Sequence, residues 1–122
     1  MIIKRESVTP TDFEGLEIRD YTDDRTSSSS VAEITVPARA RHRRAWSKRS
    51  DKYYFGLQGK LSFTIDDRVV EVAAGDLCII RRGDRFSYEN CSDEVATVLL
   101  VHTPSFELSQ EILDDPFDGG SE

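Results

Sequence analysis

The chain has 122 residues, 38% of them hydrophobic, and its 23 acidic residues against 16 basic ones give a net charge of −7. A chain of this length forms one domain around a single core, and no apolar run reaches the ~18 residues that a membrane span needs. So acidic a chain is a poor partner for nucleic acid, which requires an excess of Lys and Arg on one face. We therefore expect a soluble cytoplasmic protein with no nucleic-acid or membrane partner.

The first 30 residues predict an extended arm, one strand and a flexible loop. Apolar positions up to Tyr21 lack a helical period, and the run TDDRTSSSS at Thr22–Ser30 has nothing to pack. From Val31 onward, short runs rich in Val, Ile, Thr, Phe and Tyr alternate with turn residues and predict strands. The predicted strands are Val31–Val36, Lys52–Leu57, Lys60–Ile65, Arg68–Val72, Leu77–Ile80, Arg85–Glu89 and Val95–His102.

The connections between these runs are tight, with Gly or paired Asp at the turns. After Pro104, the segment SFELSQEIL predicts at most a short helical turn, and DDPFDGGSE predicts a disordered acidic tail. Many short antiparallel strands without covering helices favour a sandwich or a closed barrel, and we predict a jelly roll. The expected division is an N-terminal arm, strand and loop at 1–30, a barrel at 31–106 and an acidic tail at 107–122.

One set of residues carries a family resemblance. Gly75, Gly83 and Asn90 follow the spacing G-x7-G-x6-N, each at the end of a short apolar or aromatic run. Together with the stretch Pro37–Gly59, this pattern resembles the cupin family over most of the chain. The resemblance implies an all-β fold, the double-stranded β-helix or cupin jelly-roll barrel, and a metal held inside it by three His and one Glu.

The metal-ligand positions of the family carry other residues in this chain. Aligned on the family's two motifs, those positions hold Ala45, Ser47, Lys52 and Phe86. A methyl, a hydroxyl, an ammonium and a phenyl ring are poor ligands for a divalent ion, which takes converging N, O or S donors. We therefore expect neither a metal nor another cofactor at this site.

The only two histidines leave one alternative open. His42 and His102 could form an atypical metal site if the segment before Lys52 took another register. We expect instead that His42 is solvated in an arginine-rich loop and that His102 ends a strand at the barrel rim.

Strand alternation places Lys52, Tyr54 and Gly56 on one face, and Phe86 and Tyr88 on one face of a later strand. In the barrel that the resemblance implies, both faces point inward and form a pocket with aromatic walls and a few polar groups, as small-molecule sites have. The alternative is that the rings only fill a core. The pocket candidates are Ala45, Ser47, Lys52, Tyr54, Phe86 and Tyr88.

An inward-pointing lysine needs a partner, because an unpaired buried ammonium costs several kcal/mol or loses its proton. Glu33 or Glu71 is the expected partner of Lys52. With Tyr54 or Tyr88, the lysine could bind an anion or exchange protons with a carbonyl substrate. The alternative is that it extends to water at the barrel mouth.

Seven of the 16 basic residues lie within 14 positions before and including Lys52. We interpret this stretch as a loop at the open end of the barrel. Arginine forks suit carboxylates and phosphates, so Arg43, Arg44 and Arg81 are candidates for binding an anionic metabolite. The alternative is a solvated loop, or one paired with the acidic tail.

Three functions remain open. The first is metal-free binding of a small metabolite, anionic if the arginines contribute. The second is a metal-independent isomerase, epimerase or lyase acting on a sugar or carbonyl metabolite, and the third is a metal-dependent dioxygenase or isomerase with atypical ligands. An apolar arm at Ile2 and Ile3 and an edge strand favour a homodimer.

Overall fold

The computed structural model describes residues 1–23 and 28–114, which fold almost entirely as β-strands. Residues 24–27, in the expected loop, and 115–122, in the predicted tail, lie outside the described residues. In the described part, the helical elements are two 3-10 turns, Arg5–Ser7 and Leu108–Gln110, and no helix is long and apolar enough to cross a membrane. The strands are β1 (Thr11–Phe13), β2 (Leu16–Asp20), β3 (Ser30–Val36), β4 (Arg41–Ser47), β5 (Asp51–Gln58), β6 (Lys60–Ile65), β7 (Arg68–Ala73), β8 (Leu77–Ile80), β9 (Phe86–Glu89), β10 (Ala96–Thr103) and β11 (Glu111–Leu113).

The strands form two antiparallel sheets. One has the order β1-β2-β3-β10-β5-β8 and the other has the order β11-β4-β9-β6-β7. From β3 onward the chain passes repeatedly from one sheet to the other, which is how a jelly roll closes a barrel around one core. The predicted all-β jelly-roll barrel is confirmed.

The segment expected to be an arginine-rich loop is strand β4. It pairs with β9 on one side and β11 on the other, and the register shifts between His42 and Ala45. Ala45 is buried whereas the neighbouring Arg44 is exposed. A register shift of this kind re-aims side chains, so that His42 and Ala45 both line the interior although three positions separate them.

The inner faces of β5 and β9 carry the residues that face the interior. Lys52 and Tyr54 are buried and the intervening Tyr53 is only half-buried. Phe86 and Tyr88 are buried in the same alternating way on the opposite sheet. Burying each large apolar side chain stabilises the fold by roughly 1.5–3 kcal/mol, so these rings contribute to the core as well as to the cavity beside it.

Candidate functional site

A cavity of about 410 Å³ lies between the two sheets. Its walls come from the inner faces of β4, β5, β9 and β10, and its ends come from the N-terminal strands and the segment after β10. This volume lies within the range of small-molecule sites. The polar or charged residues around it are Thr11, Asp12, Asp20, Ser30, His42, Lys52, Tyr54, Tyr88, His102 and Glu111.

His42 lies in this cavity and not in a solvated loop, so the sequence-based expectation for it was wrong. Its ring centroid is 5.4 Å from that of Phe86 and 5.1 Å from that of Tyr88. Its Nδ1 lies 2.6 Å from the carbonyl oxygen of Arg43. A carbonyl only accepts, so Nδ1 carries the proton and Nε2 keeps its lone pair. Burial lowers the pKa of His42, so the imidazole is neutral at pH 7.

Two phenols line the same cavity, and the ring of Tyr88 lies beside the imidazole. Tyr54 and Tyr88 are 1% and 2% exposed and their ring centroids are 5.6 Å apart. Burial, and then the neighbouring Tyr88, raises the pKa of Tyr54 well above its usual value, and burial likewise raises the pKa of Tyr88. The phenols are close enough to influence each other's pKa, but the Tyr88 hydroxyl has no well-formed hydrogen bond to any described residue. Both phenols are therefore protonated and can donate a hydrogen bond.

Lys52, on the sheet opposite that of His42, belongs to a buried cluster whose members Lys52, His102 and Glu111 also line the cavity. Its Nζ lies 2.6 Å from Oε1 of Glu111 and 2.7 Å from Nε2 of His102. The hydroxyl of Ser47 donates to the second oxygen of Glu111, 2.7 Å away. Burial, followed by the charge of Lys52, lowers the pKa of His102 to about 3, so His102 is neutral and accepts from the ammonium. Burial lowers the pKa of Lys52, against the opposing effect of Glu111.

Neither partner expected for Lys52 is its partner in the structure. Glu33 pairs with Arg5, and Glu71 pairs with Lys60 on the outside of the barrel. Glu111 reaches the cavity because β11 adds to the edge of β4, which sets it opposite Ser47 in the register. The only signal in the sequence was the apolar pair that follows Glu111, which is too short to predict a strand.

The three arginines proposed to bind an anion do not line the cavity formed by the described residues. Arg43 pairs with Glu14 at 2.7 Å and Arg44 lies 3.6 Å from Asp114. Arg81 is exposed and its backbone N–H donates to Asp84. Anion binding by these arginines stays a prediction, and the carboxylates beside two of them compete with it.

Comparison with known proteins identifies the family and the fold of this chain. The cupin domain family matches residues 32–102. The chain belongs to the cupin family. A comparison with curated protein sequences gives no match.

Several solved structures are similar to this cupin. Pac13, described as a nucleoside dehydratase, shares 18% identity with a TM-score of 0.82, covering 94% of this chain and 91% of its own. A variant of Streptomyces Pac13 with one tyrosine changed to phenylalanine, solved with uridine, has 17% identity and a TM-score of 0.83, covering 94% and 90%. A predicted oxalate decarboxylase from Thermotoga maritima has 18% identity and a TM-score of 0.78, covering 85% and 99%. At these identities the likeness shows the fold.

The residues of this cupin do not fit the metal that the family implies. Among residues 1–23 and 28–114, no three His, Cys, Asp or Glu side chains are grouped to hold a metal ion. Ala45, Lys52 and Phe86 line the cavity, and the Lys52 ammonium lies 5.6 Å from the centre of the Phe86 ring. A fixed positive charge repels a divalent cation, and Nε2 of His102 already accepts from that charge. The His42 and His102 pair therefore lacks the converging donors that an atypical site would need.

Proposed function

We propose that this cupin is a lyase that removes water from a small sugar carrying a carbonyl group, using its own side chains as acid and base. The observation that carries the proposal is His42, whose Nδ1–H is held by the Arg43 carbonyl so that Nε2 keeps its lone pair, in a cavity that two buried phenols also line. Removal of a proton next to a carbonyl needs a base on one side and hydrogen-bond donors at the oxygen that becomes negative. This cavity offers both.

His42 fits the role of base. The Arg43 carbonyl holds Nδ1–H and thereby fixes the tautomer and the ring orientation. The lowered pKa of His42 keeps Nε2 unprotonated at neutral pH, and apolar rings on its flanks exclude water that would compete for it. A positioned base of this kind contributes roughly 10²–10⁴-fold to the rate.

The phenols fit the role of stabilising the enolate oxygen. The buried Tyr88 hydroxyl makes no well-formed hydrogen bond to a described residue, so its proton is available to an oxygen of a ligand. The raised pKa values of Tyr54 and Tyr88 keep both groups protonated, so each can donate but neither ionises. A donor preorganised at such an oxygen contributes roughly 10²–10³-fold.

The Pac13 structures support this assignment. Three of them are variants solved with uridine, one with a histidine changed to glutamine and two with a tyrosine changed to phenylalanine. The same residue types, one histidine and two tyrosines, meet in this cavity, and the two tyrosines lie the same number of residues apart in both chains. A ribonucleoside is therefore the first substrate class to test.

The charges of the cavity favour an uncharged ligand. Glu111 already neutralises Lys52, and Asp12 and Asp20 line the same cavity. A phosphate or carboxylate would meet more negative than positive charge there, so the anionic ligand considered from the sequence is disfavoured. Binding without chemistry remains the second candidate, because the same cavity serves both functions.

The test uses two oxidised uridines. Only the 5′-aldehyde and the 3′-ketone place an acidic C4′–H beside the carbonyl with a hydroxyl on the next carbon. In D₂O, NMR follows deuterium entry at C4′ and loss of water separately. We expect His42→Gln to lower both by roughly 10²–10⁴-fold and Tyr88→Phe by roughly 10²–10³-fold.

Tyr53→Phe is the matched control, because Tyr53 is half-buried on the opposite face of β5 and does not line the cavity. It should leave both rates unchanged. A wild-type protein that binds uridine but exchanges no C4′ proton in either probe would contradict the lyase and leave binding alone.

We also propose a cytoplasmic homodimer. β8 is the outer strand of its sheet, and Leu77 and Ile79 on it are 55% and 44% exposed, beside the half-exposed Phe55 of β5. An unpaired edge with apolar side chains favours association with a second copy. Sedimentation velocity at micromolar concentration tests it, and a monomer would contradict it.

A further inference from the structure

The Lys52 ammonium is held by two hydrogen-bond partners among the described residues, so one of its three N–H groups can donate to a ligand. An ammonium has three N–H donors. One is directed at Glu111 and one at His102, both within 2.7 Å. The third has no hydrogen-bond acceptor among the described residues, and Lys52 lines the cavity with its Nζ 5.6 Å from the centre of the Phe86 ring. A ligand oxygen can therefore take the place of that missing acceptor.

The cluster around Lys52 fixes the position of this donor. Glu111 is itself held by the Ser47 hydroxyl, and the Lys52 side chain is only 5% exposed. A charged, immobilised N–H donor needs no reorganisation when a substrate arrives, which is the condition for efficient catalysis by a preorganised group. The anchored geometry distinguishes this lysine from a flexible surface lysine.

Lys52 and His42 flank the same part of the cavity. The His42 ring centroid lies 5.4 Å from that of Phe86, and the Lys52 Nζ lies 5.6 Å from it. Both residues line the cavity, and the charge of Lys52 also contributes to lowering the pKa of His42. A base and a proton donor thus both lie beside the Phe86 ring and line one cavity, where a small substrate lying against this ring can contact them.

We propose that Lys52 is the general acid of the elimination and gives its proton to the departing hydroxyl. The role rests on the proposed lyase function. His42 Nε2 takes the proton from the carbon next to the carbonyl, and that electron pair forms the carbon–carbon double bond. The bond between the next carbon and its oxygen breaks, and the oxygen leaves as water with the proton of Lys52. Transfer of a proton from His42 back to Lys52 through solvent restores both groups.

The chemistry needs such an acid. Hydroxide is a poor leaving group, so loss of water from an enolate is slow until the oxygen is protonated. Burial lowers the pKa of Lys52, which makes it a stronger acid than a lysine in water, while Glu111 keeps it charged until the proton is transferred. Because Glu111 already neutralises the positive charge of Lys52, the third N–H should favour an uncharged substrate oxygen over an anionic one.

The test separates proton removal from loss of the leaving group. Lys52→Met alone would leave the buried Glu111 carboxylate without a counter-charge and could unfold the chain. The Lys52→Met, Glu111→Gln double variant removes both charges and keeps the cluster neutral, and thermal unfolding verifies its fold. The probes are the 5′-aldehyde of uridine and its analogue with fluoride in place of the 3′-hydroxyl, because fluoride leaves without a proton.

We expect the double variant to lose water from the hydroxyl probe roughly 10²–10⁴-fold more slowly than the wild type. Deuterium entry at C4′ should stay within a few-fold, and loss of fluoride should proceed nearly as in the wild type. His42→Gln should impair deuterium entry and loss of either leaving group.

Two results would overturn the role of Lys52. One is a folded double variant that loses water as fast as the wild type, and the other is one that loses water and fluoride equally slowly, as a merely structural lysine would. Failure of the lyase function gives a different result, because the wild-type protein itself then exchanges no C4′ proton. In that case the proposed role of Lys52 is wrong as well.

Discussion

His102 should make the stability of this cupin fall steeply in acid. In the folded chain its Nε2 accepts from Lys52 and the ring is 6% exposed, so protonation would place a second positive charge beside a buried ammonium. Its pKa is therefore lowered from 6.5 to about 3. Between these values the unfolded chain binds a proton that the folded chain does not, so the stabilisation present above pH 6.5 is lost as the pH falls toward 3.

The size of the effect follows from the pKa values of His102 in the unfolded and folded chain. Each unit of difference between the two pKa values corresponds to about 1.4 kcal/mol. With folded and unfolded values of about 3 and 6.5, the free energy of unfolding therefore falls by about 3 kcal/mol when the pH is lowered from 7 to 4. His102→Gln keeps a hydrogen-bond acceptor for Lys52 but cannot titrate in this range. Urea unfolding of both proteins at pH 7, 5 and 4 measures the difference, since the other titrating groups are common to both.

We expect the wild type to lose about 3 kcal/mol more than His102→Gln between pH 7 and 4. The His102 ring protons in NMR spectra should also show no titration between pH 8 and 5. Equal pH dependence of the two proteins, or titration of His102 near pH 6.5 in the folded chain, would refute the reasoning.

Three further predictions concern the barrel. Gly56→Ala should destabilise the fold by about 1–3 kcal/mol in urea unfolding, because the added Cβ would clash with the carbonyl oxygen of Ala73, and unchanged stability would contradict this. Asn90→Ala should cost about 2–4 kcal/mol, because the fully buried amide donates to the backbone carbonyls of Val36 and Glu94; unchanged stability would contradict this. Elemental analysis of untagged protein should find no stoichiometric metal, and a chelator should leave the melting temperature unchanged; bound Fe, Mn, Ni or Zn would overturn our account of the cavity.

The barrel itself could be predicted from the sequence because its strands carry strong local signals. β6 and β8 lie at the predicted residues, since β-branched and aromatic runs there end at clear turn residues. β4 was missed because four of its seven residues are arginine or histidine, a composition typical of exposed loops. Its place between β9 and β11 decides the conformation, and that pairing has no signature within the strand itself.

The candidate site was predictable only where strand alternation determines it. Because side chains alternate between the two faces of a strand, Lys52 and Tyr54 were predicted on one face of β5, and both are buried. His42 was missed because the register shift that turns it inward depends on the partner strand. Glu111 was missed because its contact with Lys52 joins residues 59 positions apart, a separation over which no sequence period operates.

The buried lysine in β5 explains why the C-terminal segment contributes a residue to the cavity. In the aligned cupin motif a glutamate stands at this position, whereas here Lys52 brings a positive charge into the barrel. An unpaired ammonium there would cost several kcal/mol, so a carboxylate must come from elsewhere, and β11 supplies Glu111. In the proposed lyase this position gives a proton, whereas the glutamate of the family motif would bind a metal. The proposed elimination then takes its acid from β5 and its base from β4, on the two opposite sheets of one barrel.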